Sequence, residues 1–322
     1  MEVNWTQDDA MVSLSIVIPC FNEQEILADT ANKLADLVGR MVKAGTVDKK
    51  SSIYFVDDGS SDVTWEIICD FNHRQPELFK GIKLSRNQGH QRALLAGLLN
   101  VPGDAVVSID ADLQDDIEAI PEMVHRLKEG YDIVYGVRAA RDSDTFFKRS
   151  TARLYYGILR LLGVEIVFDH ADFRLLSRRA VDALGRYKEV NLFLRAVIPL
   201  LGFKTTQVFY NRKARMAGES KYPISKMLGL AINGITSFSM RPLRVITFIG
   251  FAIALLSFLV GAWAVFIAIF TDLAVPGWAS IIVPNAFLGG IQMLSLGVIG
   301  EYIGKIFLEV KHRPLFEIEQ II

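Results

Sequence analysis

The sequence predicts an α/β domain with a mainly parallel sheet, followed by amphipathic interface segments and a two-helix transmembrane hairpin. Three observations carry that expectation. Short β-branched runs alternate with stretches of helical periodicity over the first two thirds of the chain, the pattern of strands joined by crossover helices. Two of those runs break off into clusters of aspartates. Beyond them, residues 245–270 and 273–300 carry no charge, and the first stretch exceeds the ~20 apolar residues needed to cross a bilayer.

The first strand is Leu14-Ser15-Ile16-Val17-Ile18, closed by Pro19, and the loop behind it carries Asn22 and Glu23. Ile26, Leu34, Leu37, Val38 and Met41 recur at helical spacing and predict a helix from Glu23 to about Met41. A second strand, Ile53 to Val56, ends at Asp57-Asp58-Gly59-Ser60-Ser61-Asp62; Gly59 allows a tight turn and Ser61 or Asp62 can cap the next helix. A third strand over 79–84 leads through Ser85-Arg86-Asn87-Gln88-Gly89-His90 into a helix reaching Leu99. A fourth strand covers 105–109 and a fifth 131–136; helical material ending near Leu201 precedes one more strand, 204–210.

The end of the fourth strand organises the rest. Val106-Val107-Ser108-Ile109 gives way to Asp110-Ala111-Asp112-Leu113-Gln114-Asp115-Asp116, four carboxylates and a glutamine in seven residues. In open α/β sheets ligands bind outside the carboxyl ends of the strands, which is where these acids fall. On an extended chain alternate residues share a face, so Asp110, Asp112 and Gln114 would aim oxygens at one point. Oxygen ligands of that kind suit Mg²⁺ or Mn²⁺, with substrate phosphates and water completing the shell. The competing reading is an acidic turn, with Asp116 capping the helix that follows.

Further along, residues 146–163 mix Lys148, Arg149, Arg153 and Arg160 with phenylalanines, tyrosines and leucines. That composition describes either a basic helix at a membrane surface or an ordinary helix with a solvated basic face. Residues 211–222 crowd Arg212, Lys213, Arg215 and Lys221 around Gly218 and Ser220, a loop suited to phosphate. Arg241 and Arg244 precede the first apolar segment, and Lys305, Lys311, His312 and Arg313 follow or end the second; the turn between them holds only Asp272. The positive-inside rule then places the N-terminal domain and both termini in the cytoplasm. The expected organisation is an α/β domain over 1–222, an interfacial segment over 223–242, two transmembrane helices over 243–310 and a cytoplasmic tail over 311–322. Gly300 and Gly304 have the spacing of a close helix contact, which leaves a homo-oligomer open.

Composition removes several classes. A net charge of −1 offers no general attraction for nucleic acid, while 51% hydrophobic residues and a mean hydropathy of +0.29 are high for a soluble protein, the excess lying in the C-terminal quarter. Cys20 and Cys69, in apolar surroundings, read as core residues of a reducing compartment. The polar, acidic start from Met1 to Val12 reads as no secretory signal. No Gly-x-Gly-x-x-Gly follows the first strand and no Gly-x-x-x-x-Gly-Lys-Ser/Thr occurs, which disfavours a dinucleotide dehydrogenase and a P-loop NTPase.

Taken in order, Pro19 with Asn22-Glu23, Val56-Asp57-Asp58-Gly59-Ser60, Asn87-x-Gly89, Asp110-Ala111-Asp112-Leu113-Gln114-Asp115, Asp172-Phe173-Arg174 and Ala217-Gly218-Glu219-Ser220-Lys221-Tyr222 resemble the motif series of family-two, GT-A-fold glycosyltransferases. The likeness is to their polyprenyl-phosphate branch, which includes dolichyl-phosphate mannose synthases and undecaprenyl-phosphate glucosyltransferases. It covers nearly the whole chain. The resemblance implies that Pro19, Asn22, Glu23, Asp57 and Asp58, with Asn87, Gly89 and Asp110, bind a nucleotide sugar, UDP-glucose ahead of UDP-galactose, UDP-N-acetylglucosamine and GDP-mannose. It implies that Asp110, Asp112 and Gln114 hold the divalent cation, and that Asp112 and Asp172 act at the reacting centre, Asp172 as base or as positioning group, against the plainer reading of a structural pair with Arg174. The acceptor it implies is the phosphate of a polyisoprenyl phosphate, attacking with inversion. Arg138, Lys148, Arg149, Arg215, Ser220 and Lys221 are the cations and hydroxyl expected to clamp that phosphate.

Two competitors remain. A processive polysaccharide synthase would carry Gln-x-x-Arg-Trp, and none of Trp5, Trp65, Trp263 and Trp278 follows an arginine. A non-catalytic nucleotide-sugar sensor or membrane scaffold would keep the fold without turnover.

Overall fold

A computed structural model describes residues 11–138, 170–189, 193–210, 241–270 and 279–322. They divide into two compact units, one containing the first three of these stretches with 313–322, the other containing 241–270 and 279–312.

The first unit is an eight-stranded sheet. In chain order its elements are β1 (Leu14–Cys20), α1 (Leu27–Lys43), β2 (Ser52–Asp57), α2 (Thr64–Arg74), β3 (Phe79–Leu84), α3 (His90–Asn100), β4 (Ala105–Ser108), α4 (Ile120–Lys128), β5 (Ile133–Arg138), β6 (His170–Ser177), α5 (Arg178–Leu184), α6 (Leu194–Leu200) and β7 (Thr205–Tyr210), with β8 (Ile318–Ile321) last in sequence. The strand order is β7-β5-β6-β4-β1-β2-β3-β8. β4, β1, β2 and β3 run parallel, as do β5 and β7. β6 and β8 run against their neighbours.

The core follows from the sequence pattern. β1 and β2 are buried at every residue, as expected of central strands covered on both faces. Leu27, Ala31, Leu34, Leu37, Val38 and Met41 line one stripe of α1 and join Ile16, Ile18, Ile53 and Phe55 in a single cluster. Fully burying each such large side chain is worth ~1.5–3 kcal/mol, so this stripe holds the helix rather than its propensity alone. The parallel block turns the C-terminal ends of β4, β1, β2 and β3 toward one edge, and the loops there carry the acidic motifs.

Two elements go beyond what the sequence pattern offers. The segment around Asp172-Phe173-Arg174, met in sequence as a bare motif, is a strand: β6 inserts antiparallel between β4 and β5, near the middle of the sheet. Within 311–322, β8 pairs with the outer edge of β3 and Ile322 packs against Gly81. Periodicity detects strands, but it does not encode their direction or their partner.

The second unit contains α7 (Arg241–Phe270) and α8 (Ala279–Val310), of 30 and 32 residues. Within α8, Leu288–Val310 is long and apolar enough to cross a membrane. The helix expected over 146–163, the interfacial stretch 223–240 and the turn at 271–278 lie outside the described residues.

Candidate active site

Three of the loops at the C-terminal ends of the parallel strands, those after β1, β2 and β3, are stitched to one another. After β1, Asn22 adopts φ 55° and accepts a hydrogen bond from the Ser61 amide at 2.9 Å, while its own amide donates to Ser60 Oγ at 3.0 Å. The Glu23 amide donates to Thr64 Oγ1 at 3.0 Å. After β2, Asp58 accepts from the Gln88 and Gly89 amides at 2.7 and 2.9 Å, tying the loop behind β3 to the strand beside it. Gly59 lets the two backbones meet: a Cβ there would stand 2.6 Å from the Arg86 carbonyl carbon and the Asn87 nitrogen.

Of the expected donor-binding residues, Pro19, Asp57 and Asp58 are buried, Asn22, Asn87 and Gly89 are exposed, and Glu23 and Asp110 are intermediate. All eight fall on this one edge, Pro19 and Asp57 in the last residues of β1 and β2 and the other six on the loops after β1, β2, β3 and β4. Burial pushes the Asp57 carboxyl up, against the pull of its hydrogen bonds from Ser60. Burial raises Asp58 as well, despite the two amides it accepts from.

The acidic loop differs from the extended geometry expected of it. β4 ends at Ser108, the Leu113 amide donates to the Asp110 carbonyl at 3.3 Å, and Leu113 takes φ 44°. Asp110, Asp112 and Gln114 therefore lie on a turn rather than along an extended strand. A left-handed leucine costs ~1–2 kcal/mol and gives no signal in the sequence. As expected, Asp116 caps the short turn that follows, accepting from the Glu118 amide.

Asp110 is strongly perturbed. Its Oδ1 is buried without a hydrogen-bond partner, and His90 Nε2 stands 3.6 Å away. Burial raises its pKa to about 6, and Asp172, Asp115 and Asp112 push the same way while His90 opposes. Among the described residues no three His, Cys, Asp or Glu side chains form a metal site by themselves. Two carboxylates and an amide still suit a hard cation that takes its remaining oxygens from a diphosphate. A buried carboxylate oxygen without a hydrogen-bond partner fits such a cation.

Asp172, on β6, lies in a cage. Arg195 on α6 reaches it through Nε at 3.2 Å and Nη2 at 3.1 Å, Gln91 Nε2 donates at 3.2 Å, His90 Nε2 stands at 3.4 Å and the buried Arg174 pairs with it. Burial alone would raise this carboxyl; the His90 hydrogen bond and the two guanidinium groups outweigh it and hold the group well below the usual carboxylate range. The same contact, with Asp110, raises the His90 imidazole above its ordinary value in spite of burial.

Sequence reasoning assigned no role to His90, Gln91 or Arg195; the last two lie 81 and 23 residues from Asp172. Arg138, at the end of β5, is bound to the buried Asp115 at 3.0 Å, and Tyr210 Oη donates to the same carboxylate at 2.6 Å. Lys148, Arg149, Arg215, Ser220 and Lys221 lie outside the described residues.

The family model for glycosyl transferase family 2 matches residues 15–185, which contain all of these loops. The chain belongs to glycosyl transferase family 2. Its sheet is accordingly of the GT-A type, α/β and mostly parallel. This glycosyltransferase is 48% identical to the uncharacterized glycosyltransferase YkoT of Bacillus subtilis (strain 168), over 95% of this chain and 91% of that one. It is 39% identical to the bactoprenol glucosyl transferase of Shigella phage SfV, over 96% of this chain and 98% of the relative. Among solved structures, it matches mannosyl-3-phosphoglycerate synthase from Rubrobacter xylanophilus with a TM-score of 0.49 at 17% identity, covering 72% of this chain and 74% of that one.

Proposed function

We propose that this glycosyltransferase moves a hexose, glucose first among candidates, from a uridine diphosphate sugar to the phosphate of a polyisoprenyl phosphate such as undecaprenyl phosphate. The observation that carries the reading is the bare, buried Asp110 oxygen beside Asp112, on the same edge as the loops of Asp57, Asp58 and Asn87. Similarity to bactoprenol glucosyl transferases over almost the full length supports the choice of a lipid acceptor.

Pro19, Asn22, Glu23, Asp57, Asp58, Asn87 and Gly89 cradle the nucleotide. Asp110, Asp112 and Gln114 would hold Mg²⁺ or Mn²⁺, which when bound would neutralise charge on the departing diphosphate. The acceptor phosphate has a second pKa of about 6 and already carries a nucleophilic oxygen at neutral pH, so no strong base is required. Asp172, ionised and surrounded by donors, positions rather than abstracts: it orients His90, Gln91 and Arg195 around the reacting centre. The acceptor oxygen bonds to the anomeric carbon on the face opposite the leaving diphosphate, whose oxygen takes the electron pair of the broken bond, and the configuration inverts. Arg138, Lys148, Arg149, Arg215, Ser220 and Lys221 capture the lipid phosphate and offset repulsion between the two anionic substrates.

In this reading α7 and α8 cross the bilayer as a hairpin with both termini cytoplasmic. The uncharged run 245–270 in α7, the apolar length of α8 and the cations at 241, 244, 305, 311 and 313 support it. The test incubates purified protein with labelled UDP-glucose, Mg²⁺ and undecaprenyl phosphate. An organic-soluble labelled product that disappears with Asp112→Ala supports the reading; nucleotide-sugar binding without product defeats it.

A further inference from the structure

Asp115 follows the acidic loop directly, yet it is turned away from solvent at 2% exposure. Its Oδ1 gathers three donors from two other strands: Arg138 Nη2 at 3.0 Å, Arg138 Nε at 3.3 Å and Tyr210 Oη at 2.6 Å. Arg138 is the last residue of β5 and Tyr210 the last of β7. These two strands are parallel neighbours, paired residue for residue up to Arg138 and Tyr210. One carboxylate thus joins the loop after β4 to the final register of two strands beyond β6. The tyrosine is a committed donor, because burial and the adjacent Asp115 push its hydroxyl pKa far up.

From this node we infer that Asp115 is a positioning residue for the transfer reaction, fixing the acidic loop against the ends of β5 and β7 and holding Arg138 in one orientation toward the acceptor. The inference rests on the reading above for its chemistry, since it takes Arg138 to meet the lipid phosphate. Geometry favours it over a purely structural ion pair. A guanidinium held through both Nε and Nη2 by one fixed oxygen has lost most of its rotamer freedom before any substrate arrives, which is how an arginine becomes a preorganised anion receptor. The chain continues directly from Arg138 and from Tyr210 into the two segments that carry the remaining cationic candidates.

Two mild variants test it in the full-length protein: Tyr210→Phe, which deletes one hydroxyl, and Asp115→Asn, which keeps the volume. Hydrogen–deuterium exchange should show residues 110–116 exchanging about fivefold faster in Tyr210→Phe, the worth of one hydrogen bond, and faster still in Asp115→Asn, with β1 and β2 unchanged. Wild-type protection of 110–116 in both variants overturns the inference. In steady-state assays with UDP-glucose and undecaprenyl phosphate, Tyr210→Phe should raise the lipid KM about fivefold and leave the nucleotide-sugar KM within about twofold. Equal changes in the two KM values overturn it as well. Absence of any lipid-linked product from the wild type would instead defeat the proposed function, and the exchange measurement would then decide the role of Asp115 alone.

Discussion

Arg195 closes on Asp172 in a fork, Nε at 3.2 Å and Nη2 at 3.1 Å, while Arg174 pairs with the same carboxylate from its own strand. A helix that begins 22 residues after Asp172 therefore supplies the second cation of a buried cluster in the middle of the sheet. One carboxylate faces two guanidinium groups and an imidazole, and removing its charge leaves the buried Arg174 guanidinium without its partner.

Asp172→Asn should accordingly destabilise the fold by about 3–5 kcal/mol at neutral pH, the usual penalty for breaking a buried pair from one side. The pH dependence has a definite sign. The folded pKa is depressed, so the stabilisation is complete above the ordinary carboxylate value of about 4 and is lost as pH falls through the lower, folded value. Thermal unfolding midpoints between pH 7 and pH 3 should fall for the wild type and change less for Asp172→Asn. Parallel curves would show that the cage does not hold the charge.

Asp57 behaves in the opposite way. Its folded pKa is raised, first by burial, so folding favours the protonated form and ionisation costs stability as pH rises through the folded value. Asp57→Asn should unfold at a higher temperature than the wild type at pH 7, the difference closing below about pH 4. Donor binding should weaken about tenfold, as expected when a charged hydrogen-bond acceptor is lost from a ligand site. A variant both less stable and fully competent to bind UDP-glucose would refute the functional role assigned to Asp57.

The acids of this site were legible because each pair announces itself locally: a β-branched run that stops at aspartates is visible within ten residues, as at Val56-Asp57-Asp58 and Ile109-Asp110. Alternation of strands and helices likewise gave the parallel block. What surrounds Asp172 was not legible. Gln91 and Arg195 meet it through tertiary packing across 81 and 23 residues, and no spacing rule links them. The turn at Leu113 was hidden for a different reason, since leucine favours right-handed backbone and only the fold imposes φ 44°.

Gly59 makes a sharper demand on sequence. It has φ 67°, and a Cβ there would press on backbone atoms of Arg86 and Asn87, which cannot move aside as a side chain could. Gly59→Ala should cost at least ~2 kcal/mol, combining left-handed strain with displacement of the loop behind β3. Because Asp58 holds the amides of Gln88 and Gly89, the displaced loop should also raise the KM for the nucleotide sugar while the lipid KM stays near that of the wild type. An unchanged nucleotide-sugar KM would place the Asn87 loop outside the donor site.

The C-terminal strand offers a test that leaves the acidic loops untouched. β8 covers the outer edge of β3: the Gly81 and Ser85 amides donate to the Ile322 and Glu317 carbonyls at 3.0 Å, and Lys83 pairs with Glu319 at 3.1 Å. Exposed strand edges recruit other strands, so deleting residues 313–322 should lower the unfolding temperature and promote aggregation from the β3 side. The ion pair is largely solvated and contributes little, so Glu319→Ala alone should shift stability by less than ~1 kcal/mol. The backbone ladder should account for the difference, and a tail-deleted protein restored by an added peptide of residues 313–322 would demonstrate it. Deletion without loss of stability would show that β3 needs no partner at this edge.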